Sequence, residues 1–221
     1  MANWLNQTFI YFDFSIAEAF NGLAKSASGF FTPFSEVLAF LGKGGLFPLV
    51  LGVLLLLFRR TRKGGLCVLL AVGVGALFTN VIIKNAVARP RPYEDGAFAA
   101  YREFWELVGA HSESEWSFPS GHATVTTTSM MAIFLSFNKK WSWVAFFYPL
   151  LTGASRIYLG VHYATDVLGG FIIGAIAGTI AFFIVKGIYK LINSHSENKF
   201  CAFVLCSCIT DLFKKKQENQ E

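Results

Sequence analysis

Long apolar runs separated by short charged knots set the pattern of this chain. Runs approaching 20 residues suit helices that cross a bilayer. The pattern predicts an all-α, polytopic membrane protein with six transmembrane helices in a bundle. The spans fall near 23–41, 46–58, 64–83, 120–137, 141–159 and 164–192. The first is interrupted by Lys25, Pro33 and Glu36, and the second is short and borrows residues from both ends. The sixth exceeds the bilayer and so tilts or projects from it.

Between the spans the pattern changes character. Residues 6–21 are aromatic and apolar with Asp13 and Glu18 interspersed, which reads as an amphipathic helix in the interface. Lys25 is the first basic residue, so the start lacks the positive head of a secretory signal. Gly42-Lys43-Gly44-Gly45 is a predicted turn. Two prolines in Arg89-Pro90-Arg91-Pro92 end the third helix and keep the backbone extended. The polar-aromatic connection 93–118 is long enough to be functional or to hold a helix of its own. Residues 97–108 are the candidate, with Phe98, Tyr101, Phe104 and Trp105 roughly on one side as a short interfacial helix. His111 in this loop is expected to be solvated and without a partner. The expected organisation is an amphipathic segment (1–25), a six-helix membrane domain (26–192) and a cytoplasmic tail (193–221).

Composition agrees with the pattern: 54% of the 221 residues are hydrophobic and 24 are phenylalanine. The formal net charge of +5 gathers in short loops, which points to membrane topology and anionic headgroups rather than nucleic acid. Cys67 lies in an apolar run, and Cys201, Cys206 and Cys208 lie in the tail. Reduced, structural cysteines are expected. Residues 200–210 are too short to span and suit a surface helix or a disordered end.

Placing Arg59–Lys63, Lys139–Lys140 and the basic tail inside puts both termini in the cytoplasm. Lys84, Arg91, Ser120, His122, Arg156 and His162 then all fall at the opposite, extracytoplasmic face, although the charge rule takes no account of chemistry. Ionisable groups at a membrane boundary are costly and default to a functional reading. Guanidinium groups grip phosphate oxygens in a fork, and lysine adds a point charge. Ser120, Gly121 and His122 begin a helix whose free N–H groups can face an anion. On a helix, Asp166 would sit four residues from His162 and hold one ring nitrogen, freeing the other; Gly160 is a candidate break in that helix. Two histidines in an oxyanion site suggest phosphate-ester hydrolysis, one attacking phosphorus and one moving a proton. Taken singly, each residue also has a structural reading: a snorkelling lysine, an interface arginine, a helix cap, a helix-end ion pair.

Lys84 with Arg91-Pro92, then Pro119-Ser120-Gly121-His122, then Ser155-Arg156 with His162 and Asp166 resemble the three signature motifs of the type 2 phosphatidic acid phosphatase family, in order and at fitting spacing. The resemblance covers roughly 45–180. It implies that His162 is the nucleophile that forms a phosphohistidine, that Asp166 orients it, and that His122 is the general acid and then base. Lys84, Arg91 and Arg156 would bind the phosphoryl oxygens, with Ser120 and Gly121 completing the cradle. The family works without a metal, and no carboxylate cluster for magnesium is visible here; no cofactor is expected. Arg89 is off the motif spacing and is expected to meet headgroups or solvent. The implied substrate is a lipid phosphate held in the bilayer, such as undecaprenyl diphosphate, phosphatidylglycerol phosphate or phosphatidic acid. A lipid-linked phosphotransferase using the same site, and a non-catalytic lipid-binding protein, are the alternatives. Oligomeric state has no signature in the sequence.

Overall fold

In the computed structural model, residues 1–94 and 99–195 are described; among them all regular structure is helical. The tail cysteines and the 200–210 segment lie outside the described residues. The helices are α1 (Ala2–Gly42), α2 (Leu46–Leu56), α3 (Arg62–Ala76), α4 (Lys84–Val87), α5 (Ala99–Leu107), α6 (Gly121–Ser136), α7 (Lys139–Ser142), α8 (Phe147–Tyr158) and α9 (Ala164–Ser194). A π-helical stretch, Leu77–Ile83, joins α3 to α4 without a break, and a 3-10 turn, Trp143–Phe146, leads into α8.

Helix α1 covers both the expected amphipathic segment and the expected first span. Its backbone leaves helical geometry at Ala27 (φ −148°, ψ 35°). The break falls in Ser26-Ala27-Ser28-Gly29, where serine and glycine weaken the helix. Before it, Leu5, Asp13, Ala17 and Ala24 form the buried face, while Trp4 and Tyr11 point outward. An acid on that inner face requires partners inside the protein. Helix α5 falls within the 93–118 connection.

Where α3, α6 and α9 pack, the interior is mostly small or polar while the exterior is large and apolar, the reverse of a water-soluble bundle. Val53, Leu54, Leu150, Ile172, Ile176 and Phe183 are all exposed. Three stretches, Ala2–Leu56, Arg62–Val87 and Ala164–Ser194, are long and apolar enough to cross a membrane. Inside, Cys67, Val68 and Ala71 of α3 pack with Ala132 of α6 and with Ala181 and Val185 of α9. Buried hydroxyls on α6 bond back to the preceding turn: Thr124 to the Ser120 carbonyl (2.9 Å), Thr126 to His122 (2.8 Å) and Thr128 to Thr124 (2.7 Å). Such bonds satisfy polar groups without water.

One seam positions the chemistry. Gly170, Gly174 and Gly178 recur every four residues on α9 and face α6. A Cβ at Gly174 would stand 2.7 Å from the Thr124 carbonyl oxygen and 2.7 Å from the Thr127 Cβ. The helices thus touch backbone to backbone, as small residues permit in membranes. At its upper end the Ser120 amide donates to the Asp166 carbonyl (3.0 Å), which joins the start of α6 to the first turn of α9.

Candidate active site

The site forms where α3–α4, α6, α8 and α9 reach the same end of the bundle. Ala88 takes a left-handed conformation (φ 51°) that stops α4, and Pro90 and Pro92 keep the next residues extended. This turns Arg91 inward, where it is 2% exposed. Its Nη1 donates to the Val161 carbonyl (2.8 Å) and lies 3.0 Å from His162 Nε2; its Nε donates to the Glu115 carbonyl (2.8 Å).

His162 is not on a helix. Leu159 ends α8, and Gly160 (φ 68°) turns the chain so that Val161 and His162 cross the top of the bundle. A Cβ at Gly160 would also press on the Trp105 backbone at 3.2 Å. Since a guanidinium only donates, Nε2 of His162 carries the lone pair and Nδ1 the proton. That Nδ1 faces Asp166 Oδ2 at 3.5 Å and the Ser117 hydroxyl at 3.5 Å. Burial first, and then the cations Arg91, Arg156 and Lys84, hold the imidazole pKa well below its ordinary value. The ring is therefore neutral, with Nε2 as its free base.

Asp166 is fully buried and serves two structures at once. Oδ2 accepts from the Tyr163 amide (2.9 Å), closing a capping box on α9, and from the Ser117 hydroxyl (2.5 Å). Oδ1 accepts from Arg89 Nη1 (2.7 Å).

On the facing helix, Ser120 caps α6, its hydroxyl accepting from the Ala123 amide at 3.5 Å. Its own amide is taken by the Asp166 carbonyl, so the expectation that it faces an anion is corrected: only the Gly121 and His122 amides remain at that helix start. Gly121 lies beside Lys84, whose Nζ would be 3.8 Å from a Cβ there. His122 Nε2 donates to the Ala39 carbonyl (3.1 Å), which leaves Nδ1 as the ring nitrogen with the lone pair.

Lys84, Arg91, Gly121, His122 and His162 line one cavity of about 310 Å³, with Lys43, Asn80, Val72 and Val125 on its remaining walls. Ser120 and Asp166 stand behind that wall, fully buried. Arg156 reaches the cavity through Glu113, to which its Nη2 donates; its buried Nε has no partner among the described residues. Lys84 pairs with Glu115 in the same way. Two loop carboxylates thus sit on two of the three cations, as the oxygens of a phosphate would.

Two expectations are overturned. Arg89 does not meet solvent or headgroups: it is 1% exposed, between Asp13 (2.9 Å) and Asp166 (2.7 Å). Two buried carboxylates supply the charge that a desolvated guanidinium needs. His111 is not fully solvated: its buried Nε2 lies 3.1 Å from the Glu36 carboxylate, without hydrogen-bond geometry. Sequence reasoning also missed Ser117, Glu113, Glu115 and Asp13. Only Asp13 carried a signal, as an acid within an apolar helix.

Fold and site together define a helical membrane protein built around a cation-lined cavity with two histidines. A family model described as the PAP2 superfamily matches residues 64–190, more than half of the chain, and the chain belongs to that superfamily. It is 37% identical over 154 residues to the phosphatidylglycerophosphatase B of Bacillus subtilis, covering 64% of this chain and 66% of that protein. It is 31% identical over 123 residues to an undecaprenyl-diphosphatase of Sulfolobus acidocaldarius, covering 55% of each. The chain therefore spans just under two thirds of the first relative's length and about half of the second's. Among solved structures, the transmembrane PAP2-type phosphatidylglycerolphosphate phosphatase of Bacillus subtilis superposes with a TM-score of 0.50 at 28% identity, covering 86% of this chain and 98% of that one.

Proposed function

We propose that this protein is a metal-independent membrane phosphatase that hydrolyses a phosphate monoester or diphosphate of a lipid through a phosphohistidine on His162. One observation carries the reading: the lone-pair nitrogen of His162 lies 3.0 Å from an arginine inside a cavity that also holds Lys84 and His122. A neutral imidazole surrounded by cations is a nucleophile placed where a phosphoryl group would bind.

The substrate's phosphoryl oxygens take over Lys84 and Arg156 from the loop carboxylates and bind Arg91 beside them. His162 Nε2 attacks phosphorus, and a P–N bond forms as the P–O bond to the leaving group breaks. His122, which takes up a proton at Nδ1 when the anionic phosphoryl group binds, gives that proton to the leaving oxygen. Asp166 offsets the positive charge that develops on the His162 ring. Water then attacks phosphorus, gives its proton to His122, and the P–N bond breaks to release inorganic phosphate and neutral His162. The two histidine roles alternate, so the site returns to its starting protonation. Lys84, Arg91 and Arg156 carry the phosphoryl charge that a metal ion would otherwise neutralise.

We also place this site on the extracytoplasmic side of a six-span bundle with both termini in the cytoplasm. The support is that Arg59–Lys63 and Lys139–Lys140 lie at helix ends opposite those that bear the cavity residues. The relatives' names put undecaprenyl diphosphate, phosphatidylglycerol phosphate and other lipid phosphates in the candidate range.

The test is phosphate release by the purified protein across a panel of lipid monophosphates and diphosphates, beside His162→Ala. Release from at least one substrate, abolished by the substitution, is the expected result. Substantial turnover by the variant removes His162 from the nucleophile role.

A further inference from the structure

The N-terminal half of α1 enters the reaction site through an ion-pair bridge that no signature motif contains. Arg89 is bonded at all three of its nitrogens. Nε donates to Asn6 Oδ1 (2.7 Å), Nη1 to Thr165 Oγ1 (2.7 Å) and to Asp166 Oδ1 (2.7 Å), and Nη2 to Asp13 Oδ2 (2.9 Å). Its guanidinium lies 3.8 Å from the centre of the Tyr163 ring. Asp13 in turn accepts from the Thr165 amide (2.8 Å) and hydroxyl (2.7 Å). The Asp13, Arg89 and Asp166 side chains are each 1% exposed or less.

Two features separate this bridge from a simple tie between helices. Arg89 holds the Oδ1 atom of Asp166, so the other carboxylate oxygen is the one turned toward His162 Nδ1. And Arg89 is shared: one cation serves two carboxylates, so it cannot cancel the charge of Asp166 by itself. Asp13 draws on the same guanidinium and leaves Asp166 with net negative charge facing His162. A buried triad of this kind gives little stability over an apolar packing of the same volume. Its placement directly behind the reacting imidazole is the more informative fact.

We infer that Asp13 and Arg89 are positioning residues for the proposed phosphoryl transfer, setting the orientation and the charge of Asp166 against His162. The inference rests on the phosphohistidine reading but has a readout of its own. Asp13→Asn keeps shape and hydrogen bonding at one oxygen and removes the charge. Arg89 then neutralises Asp166 more fully, and the imidazolium-like state of His162 loses support. The expected result is a fall in kcat of roughly ten- to a hundredfold, the scale of a misplaced reacting group, with KM within about twofold because no substrate-binding cation is touched. Asp13→Glu retains the charge and recovers part of kcat.

Asn6→Ala is the second variant. It loosens Arg89 without leaving a buried charge unpaired, so it folds even where Asp13→Asn does not, and a smaller fall in kcat alone is expected. The ring ¹⁵N signals of His162, assigned by difference from His162→Ala, are measured in the same full-length proteins in detergent. They shift in both variants if Asp166 is re-aimed, whether or not any lipid phosphate is turned over. Unchanged His162 signals in a folded Asp13→Asn or Asn6→Ala protein overturn the inference. So does a kcat that falls only in step with the folded fraction. Absence of phosphate release by the wild type, with the ¹⁵N shifts still present, overturns the proposed function and leaves the positioning intact.

Discussion

The seam between α6 and α9 sets how far the Ser120–His122 turn stands from Asp166, and Gly174→Ala tests it. A Cβ at this position meets the Thr124 carbonyl oxygen at 2.7 Å, the Thr127 Cβ at 2.7 Å and the Thr128 amide nitrogen at 3.1 Å. None of these atoms is the free end of a side chain, so relief requires the helices to part. Ordinary carbon contact lies near 3.5–4.0 Å, which makes the displacement roughly 1 Å. Overpacking of this kind costs about 1–3 kcal/mol, and the better helix propensity of alanine returns about 1 kcal/mol at most. The net loss corresponds to a lowering of Tm by several degrees, at about 2–4 °C per kcal/mol for a chain of this size.

The effect on catalysis is larger. Gly174 lies two turns below Asp166 on one rigid helix, so a parting of roughly 1 Å there reaches the Ser120–Asp166 bond and separates His122 from His162. Misplacement of this size costs about a hundredfold in rate. Phosphate release and thermal unfolding of the purified protein are the assays. Gly187→Ala is the control: it is on the same helix, nothing stands within 4 Å of its added Cβ, and it keeps full activity with stability raised by about 0.4–1 kcal/mol. A Gly174→Ala protein as active and as heat-stable as the wild type refutes the argument that backbone contact at this seam sets the site.

Four further outcomes follow from the site. The His162 pKa lies well below the ordinary histidine value, so kcat/KM stays level as pH falls through about 6.5; an inflection there contradicts this. Because the folded pKa is the lower one, His162 contributes stability above about pH 6.5 that is lost as pH falls toward its folded value, and Tm declines over that window. Glu113→Gln frees Arg156 and lowers KM by up to about fivefold, the range of a partly exposed pair of up to about 1 kcal/mol. Glu115→Gln does less, since Glu115 is 55% exposed against 34% for Glu113; an unchanged or raised KM for both shows that the loop carboxylates do not compete with substrate. Phosphate release persists in EDTA, and loss of activity restored by magnesium would mean that the cations alone do not carry the phosphoryl charge.

Much of this arrangement was legible along the chain. The end of a helix was readable where a local signal marks it, as at Ser120 before α6. The cavity residues were readable because lysine, arginine and histidine at the rim of apolar runs have few inexpensive explanations. What escaped depends on pairs distant in sequence. Nothing near Glu113 says that it meets Arg156, and the glycine spacing on α9 has meaning only opposite the Thr124–Thr128 turn of α6.

Arg89 is the instructive case. Read locally it lacks the spacing of a phosphate ligand, and solvent was the natural assignment. Its actual partners are 76 and 77 residues away, Asp13 on one side and Asp166 on the other. Neither acid can be buried as an ion without it, and it cannot be buried without both. Such a triad forms only when the first helix has docked, so the pocket behind His162 is incomplete until α1 is in place. Hydrogen bonds from Arg89 and Thr165 to Asn6 and Asp13 cross the line near residue 25 that the hydropathy pattern suggests. In chemical terms, the amphipathic start of the chain belongs to the same unit as the histidine it supports.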